Sequence, residues 1–166
     1  GYTIEYSLYE NELYSDNNTL VPGVSAVAKV GDVAKNGELT ASVTLNAGNV
    51  VKPWSAEAPH RYTLVGQLKD KKGQVVETFS TNVGFRKIEI KDTPASQDEF
   101  GLAGRYYYLN GKPIKMKGVN RHENNPQTGH YVTREQMQKE VFLMKRGNIN
   151  HVRNSHYPDA PYWYYL

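Results

Sequence analysis

Residues 133–153 read TREQMQKEVFLMKRGNINHVR, and their grammar decides the second half of the chain. Thr133 followed by Gln136 fits a capping box, in which a hydroxyl and an amide side chain each satisfy a backbone N–H at a helix start. Met137, Val141 and Met144 recur at i, i+4 and i+7, the spacing of one helix face, and Gly147 fits a C-terminal cap. INHVR (149–153) follows directly as a strand. Upstream, RYYYLNGKPIKMKGVN (105–120) contains two short strands around the turn Asn110-Gly111-Lys112. Strand, helix and strand within about 40 residues make one βαβ unit, whose strands run parallel. A parallel pair under one helix cannot bury itself, so the pattern predicts the opening of a larger α/β domain. On that reading Tyr162–Leu166 begin the next helix. The start at Gly1 and the aromatic close both predict a piece of a longer protein.

Residues 1–92 follow a period of two instead. Ile4, Tyr6 and Leu8 share one phase, as do Val24, Ala26, Ala28 and Val30, and Leu39, Ala41, Val43 and Leu45. Tyr62, Leu64 and Leu68, then Val75, Phe79, Val83 and Phe85, alternate on either side of the polar turn KDKKGQ (69–74). Past Phe85 the phase switches to Ile88 and Ile90, which predicts a bulge. About seven such strands argue for an antiparallel two-sheet sandwich of roughly 100 residues. KDTPASQDEFGLAGR (91–105) breaks the alternation with Pro, Gly and acids. The expected organisation is a mainly β chain with a sandwich over 1–92, a linker over 93–105 and the α/β opening over 106–166.

Composition narrows the function classes. The 166 residues carry 20 basic and 17 acidic side chains, a net charge of +3. That balance is mild and evenly spread, without the basic stripe and interleaved aromatics of a nucleic-acid binder. No apolar run approaches membrane-spanning length, and no signal-peptide pattern is present. With no cysteine there is no thiolate nucleophile, no disulfide framework and no Cys-ligated zinc. The 13 tyrosines against 4 phenylalanines suit half-buried sheet surfaces or the walls of polar clefts. None of the five histidines forms a metal-ligand spacing on one helix face. Asn17-Asn18-Thr19 matches a glycosylation sequon, a triplet frequent by chance. Trp54, fixed between prolines, reads as a structural anchor before a sugar platform.

Parallel strands deliver their C-terminal ends to one edge, the edge on which barrel active sites assemble. The first strand ends in Asn120, Arg121, His122 and Glu123, and the second in Arg153, Asn154, Ser155 and His156. Two cations and two imidazoles are expected to converge there; loop capping by the same polar groups is the bland alternative. Glu123 and Asp159 are the nearby carboxylates, yet Glu123 points away if His122 points inward, and Asp159 sits in the turn YPDAP.

WSAEAPHRYTL (54–64), NVGFRKIEI (82–90), YYYLNGKPIKMKGVNRHE (106–123) and GHYVTREQMQKEVFLMKRGNINHVRNSHYP (129–158) together resemble glycoside hydrolase family 2, most closely its β-galactosidases. The resemblance runs from about Pro53 to Leu166, with order and spacing kept. It implies an immunoglobulin-like sandwich followed by a (β/α)8 barrel, of which residues from about 106 are the opening. It also implies that His122 and His156 contact sugar and stabilise the transition state, that Arg153 neighbours the nucleophilic carboxylate, and that Asn120 and Arg121 bind substrate. The implied reaction is retaining hydrolysis of terminal β-galactosides by two glutamates on later strands, both outside this chain, so that the chain alone is inactive. Magnesium is implied for the parent enzyme, its ligands mainly beyond residue 166, and a homo-oligomeric parent in a bacterial cytoplasm or periplasm is compatible. Asn124 and Asn125 stand where the family's β-galactosidases often carry further histidines, which bears on loop contacts and sugar preference. β-Glucuronidase and β-mannosidase activities of the same family are alternatives, as is a non-catalytic immunoglobulin-like module binding glycan or protein.

Overall fold

The computed structural model describes residues 1–12 and 15–166. Contacts divide the chain into two compact units, Gly1–Glu89 with Leu109–Gly111, and Ile90–Tyr108 with Lys112–Leu166.

In the first unit, β1 (Tyr2–Asn11), β2 (Asn18–Val30), β3 (Arg61–Lys69) and β4 (Val75–Val83) form an antiparallel sheet in the order β2-β1-β3-β4. Register and alternation agree. Leu8 stands opposite Leu64 and Glu10 opposite Tyr62, while Tyr62 stands opposite Val83. Leu8, Val21, Val24 and Tyr62 are buried on this face, and Leu45, Ala47, Val51, Leu64, Val83 and Phe85 pack against them. The opposite face is polar, as period two requires of a half-solvated antiparallel sheet. There Thr63 donates to Asn11 Oδ1 at 2.7 Å, and Lys69 pairs with Glu5. The β3–β4 turn is tied by the Asp70 carboxylate, which accepts from Lys72 N at 2.8 Å and Gln74 N at 2.9 Å, while Gly73 takes φ +79°.

The expected strand at 37–45 does not form. Residues 31–60 contain no strand among the described residues, and Leu39 and Val43 are 48% and 40% exposed. Alternation records which side chains seek apolar cover, whereas a strand also needs a ladder partner. Leu45, Ala47 and Val51 cover one end of the sheet without one. The other end stays open: Phe79 crosses Gly66, edge-on to Tyr6 at 6.2 Å, and is 43% exposed, with Val75 at 49%. The bulge expected after Phe85 is a break instead. β4 stops at Val83, and Ile88 begins β5 (Ile88–Thr93) in a different sheet.

That second sheet has the order β5-β6-β7, with β6 (Gly104–Leu109) and β7 (Lys112–Pro113). Asn110 and Gly111 turn between them with φ of 52° and 80°, the left-handed pair that a tight hairpin of this hand requires. Ala95–Gln97 form a single 3₁₀ turn, after which the Asp98 carboxylate accepts from Leu102 N at 2.8 Å and Phe100 N at 3.0 Å.

The βαβ unit forms as the sequence predicts. β8 (Gly118–Arg121) pairs in parallel with β9 (His151–Asn154), and α1 (Arg134–Arg146) connects them. Both halves of the capping box are present: Thr133 N donates to Gln136 Oε1 at 2.9 Å, and Gln136 N to Thr133 Oγ1 at 3.3 Å. The left-handed residue that ends α1 is Asn148, φ 56°, one position beyond Gly147. α2 (Pro161–Tyr165) follows, with proline at its first turn. Val132, Met137 and Trp163 are buried together, with Val141, Met144 and Val152 packed against them. No helix of the described residues is long and apolar enough to cross a membrane.

Candidate functional site

The register of β8 and β9 sorts their side chains. Val119 and Arg121 face inward together with Val152 and Asn154, while Gly118, Asn120, His151 and Arg153 form the exposed face. Asn120 stands directly opposite Arg153. Among the described residues no carboxylate pairs with Arg153, so its guanidinium is available to an anion. Beyond the strand ends, His122 and His156 face each other with ring centroids 5.8 Å apart and planes at 90°. The Ser155–His156 peptide is cis. Tyr157 lies 6.4 Å from His122 and 6.3 Å from His130, so a cluster of exposed imidazoles and a phenol extends along the rim. These groups offer donors, acceptors and one free cation around an open surface, the equipment for holding several hydroxyls and a carboxylate.

Arg121 is placed differently from expectation. Only 5% of it is exposed, and it points away from the rim. Its Nε donates to Glu140 Oε2 at 2.8 Å, its Nη1 to Asp159 Oδ2 at 2.9 Å, and its guanidinium lies 3.9 Å from the centre of the Trp163 ring. Of the two expected cations, only Arg153 therefore lies on the exposed face of the strand pair. Adjacent strand residues face opposite ways, and this is why Asn120 and Arg121 part.

The local carboxylates are also accounted for. Glu123 Oε2 accepts from Ala160 N at 2.9 Å, at the start of α2. Asp159, 6% exposed, holds Arg121 rather than merely shaping a turn. Glu140 and Asp159 as partners of a buried cation were not anticipated; they lie 19 and 38 residues from Arg121, beyond any local pattern. Asn125 closes its own loop, exchanging backbone hydrogen bonds with Gly129 at 2.8 and 2.9 Å. Trp54 has one face taken by Arg86, 4.6 Å from its ring centre. Among the described residues no three His, Asp or Glu side chains gather to hold a metal ion.

A four-stranded β unit followed by a βαβ opening with a polar strand-end rim is the class of a sandwich joined to a barrel. The sequence profile "Glycosyl hydrolases family 2" matches residues 3–86, and "Glycosyl hydrolases family 2, TIM barrel domain" matches 101–166. The chain belongs to glycoside hydrolase family 2: its first part is the family's immunoglobulin-like domain and its last part the start of the TIM barrel. It is 45% identical over 136 residues to a β-galactosidase of Streptococcus thermophilus, covering 82% of this chain and 12% of that protein. It is 43% identical over 113 residues to a β-galactosidase of Photobacterium profundum, covering 68% and 10%. The chain thus spans about a tenth of the length of these relatives. Among solved structures, a b-glucuronidase from Ruminococcus gnavus in complex with D-glucuronic acid shares the fold, with a TM-score of 0.71 at 21% identity over 98% of this chain and 23% of that one.

Proposed function

We propose that these residues form part of a longer retaining exo-glycosidase that removes terminal β-galactosyl groups from oligosaccharides or glycans. The observation that carries the reading is the strand-end rim, where His122 faces His156 across 5.8 Å and Asn120 stands opposite Arg153 on the exposed face. Relatives named β-galactosidase at 45% and 43% identity support the choice of sugar. The b-glucuronidase likeness, at 21% identity, speaks to fold alone.

In this reading the sugar sits over the rim. His122, His156 and Asn120 hydrogen-bond its hydroxyls more strongly as charge develops at the anomeric carbon, and Arg153 keeps a nearby nucleophilic carboxylate ionised. Retention needs two carboxyl groups about 5–5.5 Å apart, one attacking and one protonating the leaving oxygen. Glu123, Glu140 and Asp159 are occupied with Ala160 N and Arg121, which supports supply of both from residues outside this chain. Arg121 is assigned to holding the rim from behind.

The test is to express the longer open reading frame containing this chain and assay nitrophenyl β-galactoside, β-glucuronide and β-mannoside. The expected result is turnover of the galactoside with retention, and a loss of about 100-fold in kcat for His122→Ala or His156→Ala. The 166-residue chain alone is expected to turn over none of the three. Preference for another sugar would replace the substrate, and sugar binding without hydrolysis by the longer protein would replace the enzyme with a binding module.

A further inference from the structure

We infer that Arg121 is a positioning residue that fixes how the His122 and His156 imidazoles face each other. The inference deepens the proposed function and rests on its reading of the two histidines as sugar contacts.

Arg121 is the point at which four elements meet. It belongs to β8, reaches α1 through Glu140 Oε2 at 2.8 Å, and reaches the loop before α2 through Asp159 Oδ2 at 2.9 Å. Its guanidinium plane covers Trp163 of α2. Its own carbonyl accepts from Ser155 N at 2.7 Å, at the exit of β9. His122 is the next residue along one strand, and His156 follows Ser155 along the other. Both imidazoles are therefore one peptide from atoms that Arg121 holds. Asp159 is braced in turn, its N–H donating to Tyr164 Oη at 3.0 Å, and Tyr164 Oη also accepts from Asn154 Nδ2 at 3.2 Å.

Stability alone is a poor account of this arrangement. The side chains of Arg121 and Asp159 are 4% and 0% exposed. Taking two such charges out of water costs several kcal/mol per ion, and well-packed apolar residues of similar volume often do as well or better. Arg121 Nη2 and Asp159 Oδ1 are also buried without a protein partner. What an apolar replacement cannot supply is direction. The planar guanidinium accepts carboxylates only at fixed angles, so it sets β8, α1 and the loop before α2 in one geometry.

The experiment is solution NMR on the longer protein containing this chain, its histidine rings isotope-labelled, reading the ring-to-ring NOE between His122 and His156 together with their imidazole shifts. Arg121→Met combined with Asp159→Leu removes both buried charges while keeping volume. The expected result is retained signals from the Val132, Met137 and Trp163 core with loss of the His122–His156 NOE. Arg121→Lys keeps the charge but not the fork, and is expected to weaken the NOE and shift both imidazoles. If Arg121→Lys, or a folded double variant, keeps the wild-type NOE and shifts, the inference is overturned. Should the double variant not fold, Arg121→Lys decides alone. No sugar enters this measurement, so its failure leaves the glycosidase reading standing, and an inactive longer enzyme leaves this geometry standing.

Discussion

At Asp159 a carboxylate with no exposed side-chain surface faces a guanidinium that is itself 4% exposed. Removing it leaves a buried cation with Glu140 as its remaining counter-charge. Asp159→Ala is accordingly expected to lower stability by about 3–5 kcal/mol, read from the urea midpoint of the chain. A loss below about 1 kcal/mol would place this pair with exposed salt bridges. In the sequence, Pro158 and Pro161 around Asp159 speak only of a turn, because its partner on β8 lies 38 residues away. His122 and His156 were legible for a different reason. A βαβ connection makes two strands parallel, and parallel strands bring their C-terminal ends to the same edge whatever their side chains are. Arg121 was misplaced onto that edge although the alternation rule, applied from Asn120, turns it inward.

Among the elements, α1 was the most readable, since the capping box and the i, i+4, i+7 stripe lie within one stretch of sequence. Thr133→Ala removes the hydroxyl that accepts from Gln136 N and is expected to cost about 1 kcal/mol, measurable as a lowered thermal midpoint. The loop 98–102 offers a pH test. The hydrogen bond from Leu102 N is the largest effect on the Asp98 carboxyl; desolvation opposes it, and with the further hydrogen bond from Phe100 N the carboxyl is held below the usual carboxylate range. A group whose folded pKa is depressed stabilises above its unfolded value, about 3.9, and that contribution is lost as pH falls through the folded pKa. The amides of Phe100 and Leu102 should therefore exchange faster with solvent as the chain is acidified below about pH 4, relative to an Asp98→Asn variant, whose amides should show no such step. The alternation that identifies β1 and β3 also predicts a strand at 37–45, which does not form. Those two find each other along nine opposed positions, Thr3 to Asn11 against Lys69 to Arg61, whereas residues 37–45 have no ladder partner.

At the scale of the whole chain, two profiles of one family match consecutive stretches, 3–86 and 101–166, and the contact units divide at Glu89 and Ile90. The family was legible because its motifs, GVNRHE and VRNSHYP, are short and local. The buried ion network was not, because it is assembled from three distant segments. The sheet order β2-β1-β3-β4 also carries a cost in handling. It leaves β4 at an edge, with Val75 and Val76 49% and 60% exposed and one row of backbone groups facing outward. Such an edge is a template onto which another copy's strand can add. Concentrated solutions of the chain are expected to scatter light increasingly with time, and Val76→Lys to suppress this without altering the folded spectrum. Solubility of these residues is then expected to follow how well the β4 edge is guarded more than it follows net charge.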